Sequence, residues 1–148
     1  MPSIYNYQKY IDAIRTVELN QPVDATGQRL GTELATVDGV TYVAIPNDAT
    51  LPTQPTEITV NSTTLTDELT QAIKRASPHC KLIARRTVDK IRERYSSDDE
   101  MYLARIGVGA ANSMYQLPDD ERAEMVAYGE FVEAIRQWGR EERAKLGL

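Results

Sequence analysis

The chain has 148 residues, 41% of them hydrophobic and 26% charged, with a formal net charge of −5. Such a composition belongs to an ordinary globular protein with material for one sizeable core, and it excludes wholesale disorder. The single cysteine, Cys80, excludes an internal disulfide and a multi-cysteine zinc site.

At the start, Ile4, Tyr7, Ile11 and Ile14 recur at helical spacing, and Ser3 can cap the first amides, so a short amphipathic helix is predicted. No basic segment followed by an apolar one precedes it, and export through a signal peptide is not expected. Asn20 to Gly31 is rich in turn formers and without periodicity, which reads as a loop or extended arm. Thr32–Val37 and Val40–Ile45 are β-prone runs joined by Asp38-Gly39, a pair that tolerates the positive φ angles of a two-residue type I′ turn. Pro46, Pro52 and Pro55 lack ladder donors and break any continuing strand, after which Glu57–Val60 is predicted to add a third strand to the hairpin.

From Thr66 the composition turns to helix formers. Leu65, Leu69, Ala72, Ile73 and Ala76 keep helical spacing up to Pro78. Ser77 and Pro78 then suit the cap and first turn of a second helix, whose apolar stripe is Cys80, Ile83, Ala84, Thr87, Val88, Ile91 and Tyr95. Ser97 and Glu100 have capping-box spacing for a third helix, which Gly107 and Gly109 weaken, so its end and a loop are expected before Gln116. Pro118 and the acidic run Asp119, Asp120, Glu121 open a last helix to about Lys145, with Tyr128, Phe131, Val132, Ile135 and Trp138 on one side. The fold class is α+β: a small antiparallel sheet with a β-hairpin in the N-terminal half and packed helices in the C-terminal half. The division falls between residues 65 and 66, into two units or two parts of one.

The sequence offers little chemistry. Adjacent helical residues point about 100° apart, so His79 and Cys80 make a poor catalytic pair, and the sequence has no second histidine. Asp98, Asp99 and Glu100 are accounted for by capping and dipole complementation. No glycine-rich phosphate loop is present. The expectation is therefore a protein with no catalytic residues, no cofactor and no metal, in which His79, Cys80, Asp98, Asp99 and Glu100 matter for stability alone.

Charge is uneven: Lys74 to Arg94 carries eight basic residues against Asp89 and Glu93. A basic helix can neutralise phosphates, which leaves a DNA-binding accessory role open as an alternative. Lys81, Arg85, Arg86, Lys90 and Arg92 flank the apolar stripe, however, where long cationic side chains often cover it with their methylenes. Aromatic and arginine side chains dominate protein contacts. The candidate partner contacts are Tyr5, Tyr7, Arg29, Tyr42, Arg85, Arg92, Phe131 and Trp138, with a core role as the competing reading for the two aromatics of the last helix.

The segment DELTQAIKRASPHCKLIARRTVDKIRERYSSDDEMYLARI, together with YGEFVEAIRQWGREERAKLGL and its Tyr128-x-x-Phe131-Val132 pattern ending near Trp138, resembles small structural or tail-assembly proteins of tailed bacteriophages. The resemblance implies a virion component of the tail or baseplate, synthesised in the host cytoplasm. Its partners would be other phage structural proteins in a homo- or hetero-oligomeric assembly, without membrane or nucleic acid; a tail-fibre assembly chaperone or other non-virion regulator is the alternative. The N-terminal strands lie outside the resemblance. One physical expectation accompanies it: the arm at residues 20–31 and the proline-broken linker at 46–55 bury too little apolar area to order themselves, so partner subunits should hold them.

Overall fold

The computed structural model describes residues 1–114 and 116–148. Eight elements follow in chain order: β1 (Ser3–Gln8), β2 (Thr32–Val37), β3 (Val40–Ile45), β4 (Asn61–Thr63), α1 (Asp67–Ala76), α2 (Pro78–Arg92), α3 (Ser97–Ala111) and α4 (Asp119–Lys145). The class is α+β. Two compact units result, one comprising Met1–Leu82 with Glu142–Leu148 and the other Ile83–Glu141. The division thus falls inside α2 rather than between residues 65 and 66.

The sheet unit grows from the hairpin. Asp38 and Gly39 have φ angles of 50° and 80°, as a type I′ turn demands, and set β2 against β3 with Val37 opposite Val40. Strand order is β2-β3-β1-β4, antiparallel throughout, with Tyr5 opposite Val43 and Asn6 opposite Asn61. A bulge between Glu33 and Ala35 makes Leu34 an extra residue, so Leu34 and Ala35 both enter the same core. On one face Ile4, Tyr42 and Ala44 join Leu34 and Ile73 of α1, with Leu146 and Leu148 at the margin. On the other, Tyr7, Val43 and Ile45 pack with Leu19 beneath Val17, Ala49, Leu51, Ile58 and Val60.

Three expectations are corrected by this two-faced burial. Residues 3–8 form a strand, not a helix: a strand covered on both faces can have apolar residues at odd and even positions alike, and Ile4 and Tyr7 reach opposite cores at a spacing that imitates a helix. Ile11 and Ile14, the supposed continuation of that stripe, stand exposed in the following loop. The last strand is Asn61–Thr63, not Glu57–Val60, and it pairs with β1, not with the hairpin. Ile58 and Val60 are used as cover.

The arm and the linker are likewise held within the chain. Ala49 and Leu51 of the linker pack over the second sheet face beside Val17, Leu19, Ile58 and Val60, and polar bonds join the linker to Asn20 at the start of the arm. Asn20 N–H donates to Gln54 Oε1 at 2.8 Å, Gln54 Nε2 donates back to Asn20 O at 2.9 Å, and Asn20 Nδ2 donates to Thr53 O at 2.9 Å. Within the arm, Asp24 Oδ1 accepts from Thr26 and Gln28, which closes the turn between Val23 and Arg29.

In the helical unit, Ile91, Tyr95, Leu103, Ile106 and Leu117 form the core, with Met125, Tyr128, Phe131, Val132 and Ile135 of α4 against it. Tyr95 meets the Tyr128 and Phe131 rings edge-on, at centroid distances of 5.1 and 5.5 Å. Upstream, Thr66 caps α1 by accepting from Leu69 N–H, a cap the sequence reading did not name, and Ser77 Oγ accepts from Cys80 N–H to begin α2 at Pro78, as the sequence predicts. Of the α2 stripe, Cys80, Ile91 and Tyr95 are buried while Ala84 and Val88 are exposed, so the covered stripe is narrower than expected.

Candidate functional site

Helix α3 is capped one residue earlier than predicted, by Ser96 in place of Ser97. The acceptor for Asp99 N–H is Ser96 Oγ, at 3.0 Å, and Asp99 Oδ2 accepts from Ser96 N–H at 2.8 Å. The run Ser96-Ser97-Asp98-Asp99-Glu100 holds two capping-box registers, and the observed one frees Glu100 from capping. Glu100 instead forms an ion pair with Arg92 of α2 and accepts from Tyr128 Oη of α4 at 2.8 Å. The Arg92 hydrogen bond, chiefly, holds the Glu100 carboxyl below its usual range, while burial and then the neighbouring Glu100 push Tyr128 up. One carboxylate therefore ties three helices together.

Gly107 and Gly109 do not end α3, which continues to Ala111. Both are packing positions: Gly109 is buried, and a Cβ on Gly107 would lie 3.1 Å from Met125 Sδ. The helix is apolar on two sides. Leu103, Ile106 and Gly109 face the core, whereas Met101, Ala104, Val108 and Ala111 run along the opposite, exposed side. Met101 is 72% and Val108 62% exposed. Ala104, Arg105, Ile106, Val108, Gly109 and Met114 line an open groove of about 650 Å³ there, and a smaller depression beside it is bounded by Asp98, Met101, Tyr102 and Arg105. The Arg105 guanidinium lies over the Tyr102 ring, and Tyr102 Oη donates to Glu121 Oε1 at 3.3 Å. The Glu121 charge raises the Tyr102 phenol.

A helix that is apolar all round normally has cover on every side. Nothing among the described residues covers this second side, and it is the best-formed candidate surface. Sequence reasoning passed it over, although the 3-4-3 spacing of Met101, Ala104, Val108 and Ala111, opposite Leu103, Ile106 and Ala110, was there to be read.

The candidate contacts named from sequence scatter. Tyr7 of β1 and Tyr42 of β3 are core residues, not surface anchors, because the sheet is covered on both faces, and Tyr5 is half-buried against the Tyr7 cluster. Arg29 lies 3.9 Å from Glu18 in an exposed ion pair, and Arg92 is held by Glu100. Phe131 is half-buried in the helical core under Arg94, whereas Trp138 is half-buried beneath Arg86 and Lys90, at 5.5 and 4.9 Å. Arg85 is exposed. The basic segment is thus substantially engaged in the protein's own contacts: Arg86, Lys90 and Arg94 on aromatic faces, Arg92 on a carboxylate.

His79 and Cys80 do not converge, since His79 Nε2 lies 3.1 Å from Glu33 O while the Cys80 side chain is buried. No group of three or more His, Cys, Asp or Glu side chains among the described residues has the arrangement to hold a metal. None of the described helices is long and apolar enough to cross a membrane. Comparison with known proteins finds no matching family model, no matching characterised protein and no matching solved structure.

Proposed function

We propose that this protein is a non-catalytic adaptor in a bacteriophage virion, in the tail or baseplate, and that it acts by protein–protein contact. The carrying observation is the exposed apolar side of α3, with Met101, Val108 and Met114 about an open groove on an otherwise well-packed helix. Contiguous apolar surface of this kind marks a contact site, whereas isolated exposed apolar residues do not. The resemblance of the helical segment to phage structural proteins supplies the setting. The engagement of Arg86, Lys90, Arg92 and Arg94 inside the helical unit weighs against a nucleic-acid partner.

A second reading, a tail-fibre assembly chaperone or other regulator that leaves before the particle is complete, is favoured by one observation. The linker is held by the chain's own sheet through Ala49 and Leu51, and the arm by the Asn20–Gln54 bonds and its own Asp24 turn, which favours order without a neighbour. Mass spectrometry of purified particles separates the two. Stoichiometric recovery of the chain in finished particles, lost in a Val108→Glu variant that remains folded, supports the adaptor. Recovery only from assembly intermediates supports the chaperone, and recovery from neither overturns both.

A further inference from the structure

The sequence has four methionines, and apart from Met1 at the chain start all of them lie on or against the surface of α3. Met114 lines the open groove and Met101 bounds the depression beside it. Both are exposed, Met101 by 72% and Met114 by 74%. Met125 of α4 is placed differently: it packs on the helical core, and its Sδ lies 3.1 Å from where a Cβ on Gly107 would stand. A thioether is soft, flexible and apolar, and in that form it suits a contact surface. It is also an apolar side chain that a two-electron oxidant turns into a polar one.

We infer that Met101 and Met114 form an oxidation-sensitive modification site that turns the α3 groove from an apolar surface into a polar one. The oxidant is a peroxide. A sulfur lone pair attacks one oxygen of hydrogen peroxide, the O–O bond breaks, and the hydroxyl proton passes to the departing hydroxide; the sulfide is oxidised to a sulfoxide and the peroxide is reduced to water. Because both side chains stand in solvent, the new oxygens keep their water and the fold is undisturbed. The groove changes instead. A surface that covers it must strip water from the sulfoxides against Ala104, Ile106, Val108 and Gly109, which have no side-chain donor, while the Arg105 guanidinium is already engaged with the Tyr102 ring. At Met125 an added oxygen would have to enter packed core, so that sulfur reacts slowly and serves as the internal reference. The Cys80 thiol is buried and does not compete. The inference rests on the α3 side being a protein contact and adds its regulation: the reduced groove binds, the oxidised one does not, and methionine sulfoxide reductases restore it. By linkage, a partner that covers the thioethers withholds them from peroxide.

The test titrates purified full-length protein with hydrogen peroxide and follows peptide mass, circular dichroism and the fluorescence of anilinonaphthalene sulfonate, an apolar probe of the groove. Met101 and Met114 should each gain one oxygen severalfold faster than Met125, with the dichroism unchanged. Probe binding should be lost with them and regained on treatment with a methionine sulfoxide reductase. Val108→Glu should remove the same probe binding without peroxide. A double variant, Met101→Leu with Met114→Leu, keeps apolar volume but has no thioether at either position, so it should bind the probe as the wild type does and keep it through the peroxide series. A Met125 that oxidises as fast as the other two overturns the inference, as does a reduced wild type that binds no probe, probe binding that survives full oxidation of Met101 and Met114, or its loss to peroxide in the leucine variant. Incorporation into particles separates this inference from the reading beneath it. If Val108→Glu is excluded while oxidised wild type enters as well as reduced, the redox inference fails and the adaptor reading stands. If the probe results hold and Val108→Glu enters normally, the adaptor reading fails and the oxidation site remains.

Discussion

The two units solve the same burial problem differently. In the sheet unit both faces of the central strands are covered: α1 and the chain end lie on one face, Val17, Leu19, the linker and residues 58–60 on the other, and the exposed large apolar side chains are confined to loops and the chain start, with Leu82 at the boundary. In the helical unit the loops are short and cover little, so Val88, Met101, Val108 and Val126 are exposed on regular helices. A sheet presents two broad faces that long connections can roof over. A helix in a small bundle has only a stripe buried, and any further apolar stripe depends on something outside the bundle.

That contrast predicts where substitution should hurt most. Leu34 is fully enclosed between β3 and α1, so Leu34→Ala should destabilise by about 2–5 kcal/mol, the range for a core cavity, whereas Val108→Ala should lie within about 0.5 kcal/mol of wild type. Urea denaturation of the monomer measures both. Comparable losses would mean that α3's second side is covered within the chain and would remove the distinction between the units.

Leu19 tests how firmly the segment that leads into the arm is held. It is buried in the second sheet face, and Leu19→Ala should lose about 2 kcal/mol or more. Hydrogen exchange on the isolated protein should find the Asn20 and Ala49 amides protected, since each donates within the chain. Rapid exchange at both, together with a neutral Leu19→Ala, would return the arm and linker to the condition the sequence implied, in need of a partner.

A smaller effect separates the two capping registers of α3. Ser96→Ala removes the acceptor for Asp99 N–H and should cost about 1 kcal/mol, while Ser97→Ala, already inside the helix, should be close to neutral. The reverse order would restore the register that the spacing of Ser97 and Glu100 suggests.

What could be read in advance follows from how local each cause is. The Asp38-Gly39 turn, the Ser77 cap and the Pro78 and Pro118 boundaries depend on a few neighbouring residues, and all were legible. Strand β1 was not, because its apolar pattern records two cores at once, one holding Ile4 and the other Tyr7. Nor was the role of Ala49, Leu51, Ile58 and Val60, whose partners are strands distant in sequence. The α3 surface was legible in principle from spacing, but Gly107 and Gly109 directed attention to where the helix would end and away from its second side.

The smallest expected effect, and the finest probe of the comparison, is acid. Asp12 and Asp24 in the sheet unit and Asp99 and Glu100 in the helical unit all have depressed carboxyls in the folded state. Each contributes stability that is present above the unfolded carboxylate value near pH 4 and is lost as pH falls through the lower folded value. The consequences differ because the partners differ. Asp12 and Asp24 bind groups within their own turns, so protonation loosens a loop and leaves the sheet paired. Glu100 joins α3 to Arg92 and Tyr128 on two other helices, and Asp99 closes the α3 cap, so protonation there slackens the packing of the whole unit. Trp138, the chain's only tryptophan, lies in the helical unit beneath Arg86 and Lys90, and its fluorescence reports on that unit alone. Titrated downward from neutrality, the tryptophan signal should change before the exchange protection of β1 and β3 is lost. Glu100→Gln, which retains an acceptor for Tyr128 but has no charge for Arg92, should flatten the part of the tryptophan curve that Glu100 contributes. Simultaneous loss of both signals would show that the two units share one cooperative transition, and the difference in how they bury their surface would then carry no difference in stability.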